Sequence, residues 1–214
     1  MSTLAKIALG MMGQLRPRPA KGNGRASIRL PAFDKRGGLP LMQALARRRS
    51  SRGFAARALP LPLMSGLLWA AFGVNRRGGG RTAPSAIDAQ EIDIYVALRD
   101  GAYLYDAKSQ RLRLVASVDL RRVTGYQDFV DEAPLDLVYV ADHRRMKMVP
   151  VAQRDSYSSA AVGAIAQNVY LFAASHRLAT VLRGWIDRAA IADALGLSHD
   201  QHVVLAQTVG YPKR

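Results

Sequence analysis

The sequence predicts an α+β domain. Two observations carry that reading: helical and strand-like stretches intermix along the chain, and a hairpin signal, Asp100-Gly101, joins two strand-like runs near its middle.

Taken in order, residues 1–39 read as an arm, with Arg16-Pro17-Arg18-Pro19, Gly22-Asn23-Gly24 and Gly37-Gly38 giving little periodic pattern. Within it, Leu4–Met12 is a short apolar patch interrupted by Lys6; it lacks a basic lead and a small-x-small cleavage pattern, so it reads as a poor export signal and a cytoplasmic location is expected. Ile28–Leu30 reads as a short strand. Pro40–Arg49 predicts a helix from Leu41 and Leu45 at i, i+4, and Pro60–Phe72 a second, with Leu63, Leu67, Leu68 and Ala71 on one face and Gly73 as its stop. Asn75–Ala83 is a glycine-rich loop flanked by Arg76, Arg77 and Arg81; no Gly-Lys-Ser/Thr follows, so a connector stands beside an anion loop.

Ile92–Leu98, Ala102–Tyr105 and Leu112–Ser117 predict strands, and the continuous apolar run Leu135–Ala141 predicts a buried one. Tyr157–Leu178 predicts the longest helix, with Ile165, Val169 and Phe172 facing the core. Asp187–Leu195 predicts a short helix, Asp187 its N-cap and Gly196 its stop, and Val203–Val209 predicts the final strand.

A chain of 214 residues with 49% hydrophobic and 22% charged residues is long and apolar enough for one cored domain. It holds no cysteine, which excludes disulfides, thiolate metal sites and a cysteine nucleophile. No apolar run approaches the roughly 20 residues of a membrane span. The net charge of +15 calls for an anionic partner. The basic residues are scattered, and no helix-turn-helix, zinc-finger or RNA-stacking signature accompanies them, so small anions are expected rather than specific nucleic acid. Of the four histidines only His199 and His202 are close in sequence, and they read as a solvated turn. Asp119, Asp128, Asp131 and Glu132 read as a solvated acidic loop. Trp69 and Trp185 read as core, Trp185 also as a candidate for a pocket wall.

The most informative stretch is Arg48-Arg49-Ser50-Ser51-Arg52-Gly53-Phe54, which crowds guanidinium forks and hydroxyls where a helix ends. Such groups bind phosphate through charge-assisted, bidentate hydrogen bonds. A second stretch, Pro84-Ser85-Ala86-Ile87-Asp88-Ala89-Gln90, leads into the strand at Ile92. Together they resemble the flavin-dependent nitroreductase family, which carries Arg-Arg/His-Ser-x-Arg/Lys-x-Phe after its first core helix and Pro-Ser-x-x-Asn-x-Gln before a sheet strand. Leu68-Trp69-Ala70-Ala71-Phe72-Gly73-Val74-Asn75-Arg76 is similar to the branch that includes the SagB-type oxidoreductases. Gln167-Asn168-Val169-Tyr170-Leu171 and Val209-Gly210-Tyr211-Pro212 fit the family's central helix and closing strand. The resemblance covers about residues 38–212.

This resemblance implies a mostly antiparallel sheet flanked by helices, an FMN-binding domain over 40–214, and an intertwined homodimer. It implies a ping-pong oxidoreductase in which NAD(P)H delivers hydride to the flavin and a nitroaromatic, quinone or similar small acceptor then takes the electrons. By resemblance, Arg48 and Ser50 contact phosphate and ribityl with Arg49 nearby, and Arg52 reaches the pyrimidine edge. Pro84, Ser85 and Asp88 belong to a turn that covers the ring from the partner subunit. Gly184 offers a backbone N–H to the flavin, and Lys213 or Arg214 adds a phosphate contact. Three departures stand out. Asp88 replaces the usual Asn with an acceptor-only group that Arg52 would need to neutralise. Arg183 replaces a frequent Glu and would make the pocket more basic. The chain stops where relatives continue into a C-terminal arm, which leaves residues 1–39 to do the wrapping. Two readings of other classes are a flavin- or anion-binding protein without turnover and a basic nucleic-acid-associated domain.

Overall fold

The computed structural model describes residues 1–22 and 24–213. Its centre is an antiparallel sheet of seven strands in the order β2-β5-β4-β3-β7-β9-β8. These strands are β2 (Ser27–Arg29), β3 (Ile92–Ala97), β4 (Ala102–Asp106), β5 (Arg111–Ala116), β7 (Leu135–Asp142), β8 (Ala179–Arg183) and β9 (Gln201–Gly210). A separate two-residue pairing joins β1 (Arg18–Pro19) to β6 (Val118–Asp119). Among the described residues the α-helices are α1 (Thr3–Met11), α2 (Leu41–Arg47), α3 (Leu61–Phe72), α4 (Val151–Ser175) and α5 (Arg188–Leu195).

The two faces of the sheet follow from the two-residue period of its central strands. Ile92, Ile94 and Val96 of β3, with Leu137 and Tyr139 of β7, meet Leu67, Leu68 and Phe72 of α3 and Ile165 and Val169 of α4. On the other face Tyr95, Val138 and Val140 meet Ile191 and Leu195 of α5 together with Leu120 and Val123. β7 is therefore buried along its whole length, which is why Leu137–Ala141 is uninterruptedly apolar; the buried Asp136 beside it is met by an ion pair with Arg183. The turn between β3 and β4 falls at Asp100-Gly101, closed by the Leu98 amide donating to the Gly101 carbonyl at 2.9 Å.

Helix ends match local chemistry. Asp187 caps α5 by accepting from the Ala190 amide at 3.0 Å, and Gly196 ends it at φ 62°, a left-handed value that glycine adopts freely. α4 starts six residues before the predicted Tyr157, because Pro150 opens it and its first turns are exposed and polar, with no apolar stripe to betray them. β8, which the sequence pattern missed, follows at once: Arg177 turns the chain at φ 55°.

The N-terminal patch is a correction. Thr3–Met11 is a helix capped by Ser2 and folded onto the body, with the Lys6 side chain fully buried. Lys6 Nζ donates to the Gln127 carbonyl and pairs with Asp131 at 3.1 Å, and Arg18 reaches the same carboxylate at 3.3 Å. Thr3 donates to Asp128. Three of the acidic residues expected to form a solvated loop, Asp119, Asp128 and Asp131, are thus the seat of the arm, and Asp119 is also buried against Arg121. The arm packs on its own chain and ends as β2 on the sheet edge. Among the described residues no helix is long and apolar enough to cross a membrane.

Candidate functional site

The arginine stretch leaves α2 at Arg48, whose backbone turns extended at φ −58°, ψ 123°. The Ser51 amide donates to the Thr180 carbonyl at 2.9 Å, which fixes the stretch against β8. A cleft of about 500 Å³ opens there, lined by Arg47, Arg48, Arg49, Ser51, Thr180 and Arg177. No carboxylate lines it, and none of these arginines has an acidic partner among the described residues. Arg177 is the member that the sequence reading missed; only its left-handed turn after α4 brings it beside residues some 130 positions earlier.

Tyr170 of α4 organises the wall. Its hydroxyl accepts from the Leu182 amide and lies 2.9 Å from Ser50 Oγ, while Arg48 stacks over its ring at 5.3 Å. Ser50 is thereby tied to Tyr170, and the neighbouring Ser51 faces the cleft. The chain end closes on the same stretch. Phe54 bridges Pro212, the Ala55 amide donates to Tyr211, and the Lys213 amide donates to Gly53. The Lys213 ammonium lies 3.6 Å from Glu132, with both groups exposed. Arg214 lies outside the described residues. Arg52 is exposed and makes no side-chain hydrogen bond or ion pair among them.

Arg183 departs from expectation. It does not add charge to a pocket, because its guanidinium is buried. It pairs with Asp136 at 2.8 Å, donates to Thr208 Oγ1, and contacts the Thr124 carbonyl. Burial pushes the Asp136 carboxyl above its ordinary range against the opposing pull of Arg183. The next residue, Gly184, is exposed; its N–H donates to no group among the described residues. Trp185 beside it is half exposed and leans on the Tyr126 ring at 5.4 Å, so it is not core.

Pro84, Ser85 and Asp88 lie on a separate loop. Ser85 Oγ accepts from the Gln90 amide at 2.9 Å and Asp88 accepts from the Gln90 side chain at 3.2 Å; within the chain Asp88 has no contact with Arg52. Ile87, Asp88 and Gln90 all have positive φ, of 47°, 54° and 50°. For a β-branched residue such as Ile87 that region is costly, and Ile87 is also 68% exposed. None of Pro84, Ser85 or Asp88 lines the arginine cleft of its own chain. The loop instead adjoins a second cleft of about 390 Å³, walled by Phe33 and Lys35 of the arm, Trp69, Asn168 and Phe172. There Asn168 donates to the Thr82 carbonyl at 3.2 Å.

The glycine-rich loop is an ordered turn, with Val74 bridging Arg81 and Gln90 donating to Gly79.

The fold and these clefts define an α+β protein whose arginine-rich helix exit, long central helix and chain end after the closing strand converge on one arginine-lined cleft. A family model described as the nitroreductase family matches residues 45–211. The chain belongs to the nitroreductase family. A candidate nitroreductase of Methanocaldococcus jannaschii is 32% identical over 167 residues, 73% of this chain and 83% of that one. A candidate nitroreductase of Ralstonia eutropha, known from its crystal structure, is 49% identical, with a TM-score of 0.89 over 94% of this chain and 96% of that one. A third, from Desulfovibrio desulfuricans and crystallised with FMN, shares the fold at 23% identity and a TM-score of 0.61, over 82% of this chain and 88% of that one.

Proposed function

We propose that this protein is an FMN-dependent oxidoreductase that works as a homodimer. The observation that carries the reading is the cleft at Arg47–Ser51: four arginines, no carboxylate among the described residues, and a wall that leads along β8 to an exposed Gly184 N–H. Four residues of extended chain from Thr180 to Gly184 span about 13 Å, a reach suited to an elongated mononucleotide.

The residues fit the group. Arg48 and Arg49, with Ser51 from the structure and Ser50 from the sequence, would hold its phosphate and ribityl end by charge-assisted hydrogen bonds. Tyr170 keeps Ser50 and Arg48 in place. Arg52 would place a cation at the pyrimidine edge, and the Gly184 N–H would face the reactive end of the ring. When bound, FMN supplies a two-electron hydride relay between NAD(P)H and a small acceptor such as a nitroaromatic or a quinone. The protein supplies position, positive charge and exclusion of water.

The Pro84–Asp88 loop supports the dimer. It misses the arginine cleft of its own chain, yet it is strained and carries the exposed apolar Ile87. In the dimer the partner subunit's copy of this loop would cover the ring. The small, exposed α4 residues Ala160 and Gly163 offer a face that lets a second helix approach.

The test is direct. The purified protein should be yellow, release FMN on denaturation, sediment as a dimer, and lose its flavin absorbance when NADH or NADPH is added without oxygen. A colourless protein that takes up no FMN would refute the assignment. A yellow protein that neither nicotinamide bleaches would leave binding without turnover.

A further inference from the structure

We propose that His143, His202 and Asp155 form a binding site for a borderline divalent metal of the Zn²⁺ class, separate from the arginine cleft. The ligand atoms of these three residues all lie within 4.8 Å of one another. They come from three elements: the short 3₁₀ turn His143–Arg145 after β7, the start of β9, and the first turns of α4. No sequence spacing announces them.

Backbone bonds hold His143. Its amide donates to the Asp200 carbonyl at 2.9 Å, and its carbonyl accepts from Met146 at 3.0 Å. In the ladder, His202 sits opposite Ala141, and its ring stacks on that of His143 at 4.3 Å. His143 is 9% exposed, and its Nε2 is buried with no hydrogen-bond partner among the described residues. A buried ring nitrogen without a partner calls for a ligand. It points toward Asp155, whose Oδ1 is 3.6 Å away and whose side chain is 86% exposed. The neighbouring Arg154 is turned aside, donating to the Val149 carbonyl at 3.1 Å.

The geometry suits a small cation. Zinc binds imidazole nitrogen and carboxylate oxygen at about 2.0–2.2 Å in a tetrahedron, which sets donor atoms about 3.3 Å apart. The His143–Asp155 separation is near that already, and the exposed His202 ring has to turn out of its stack on His143 to aim a nitrogen at the same ion, which its surface position permits. Two imidazoles and one carboxylate select zinc, nickel or cobalt over calcium or magnesium, which take oxygen donors. A fourth position stays open to water. Asp155 lies 15 residues along α4 from Tyr170, or about 22 Å at helical rise, so the ion would tie the start of α4 to the β7–β9 end without touching the cleft.

The experiment uses the intact protein, freed of any purification tag and stripped with chelator, titrated with ZnCl₂ by calorimetry. One zinc per chain is expected, with a melting temperature that rises on addition. His202→Ala and His143→Ala should each weaken binding at least tenfold and abolish the melting shift, and His199→Ala should change neither. Since His143→Ala touches a buried side chain, His202→Ala at the exposed strand start carries the test if the first variant fails to fold. Absence of saturable binding, or binding undiminished in His202→Ala, overturns the site. Flavin content and FMN affinity should be the same with and without zinc.

Discussion

Arg183 and Asp136 form an ion pair 2.8 Å long with both side chains closed to solvent, one on β8 and one on β7, although the intervening strand β9 separates those strands in the sheet. Thr208 of that intervening strand donates to Asp136 and accepts from Arg183, which completes the link. Because Arg183 precedes Gly184, the pair anchors the turn that the proposed flavin site uses.

Breaking this pair from one side should be costly. Asp136→Ala leaves a buried guanidinium with no counter-charge and should lower stability by about 3–5 kcal/mol. A double variant, Arg183→Met with Asp136→Leu, should recover much of that loss. Urea unfolding of the three forms checks both statements; equal stability in Asp136→Ala and the parent would show that the charge is relieved elsewhere.

Arg48→Ala removes a charge-assisted contact to phosphate and should weaken FMN binding by about 1.5–3 kcal/mol. That is roughly one to two decades in affinity. Tyr170→Phe should produce a smaller loss through disorder of Ser50 and Arg48. Fluorescence titration of stripped protein with FMN reads both, and an unchanged affinity in Arg48→Ala and Ser50→Ala together contradicts the cleft as the phosphate site.

Asp88→Asn should raise the flavin's reduction potential, since an amide does not oppose the negative charge of the reduced ring as a carboxylate does. Each 30 mV of a two-electron couple is about 1.4 kcal/mol. Asparagine also tolerates the positive φ at this position, so folding should not suffer. Redox titration against a reference dye decides; a lower potential means that Asp88 does not face the ring.

Glu91 gives a pH-dependent prediction. It is fully buried, and neither carboxylate oxygen meets a hydrogen-bond partner among the described residues. Burial pushes its carboxyl above the ordinary 4.5, opposed in part by the Arg145 charge. A folded-state pKa above the unfolded one means that the stabilising contribution is complete below the unfolded value and is lost as pH rises through the folded value. Glu91→Gln should therefore raise the melting temperature at neutral pH, with the advantage shrinking toward pH 4. A variant less stable than the parent at pH 7 would mean that the charged form is compensated.

Much of the architecture was legible from the sequence, because each strand and helix that faces a core repeats its apolar residues at its own period. The hairpin at Asp100-Gly101, the buried strand at Leu135–Ala141 and the caps of α5 follow from short-range chemistry. Local patterns failed where the pattern itself is absent. The first turns of α4 are polar, β8 is short and directly abuts a helix, and α1 carries a lysine that looks out of place until Asp131 meets it. The same holds for the candidate site. Arg48–Arg52 and Pro84–Asp88 stand out as runs of residues. Nothing in the run Arg183-Gly184 tells that the charge is turned inward while the next amide is left outside.

By itself, then, the sequence determined most of the core-facing elements, the class, and the chemistry of a basic, phosphate-suited stretch, since these depend on neighbours a few residues apart. The tertiary structure alone decided which charges remain free. Arg183 is neutralised by Asp136 and Lys6 by Asp131, while Arg47, Arg48, Arg49 and Arg177 are gathered without a counter-charge among the described residues. Ion pairing requires approach within about 4 Å, and such approach between residues tens to over a hundred positions apart is set by the packing of the sheet and its helices.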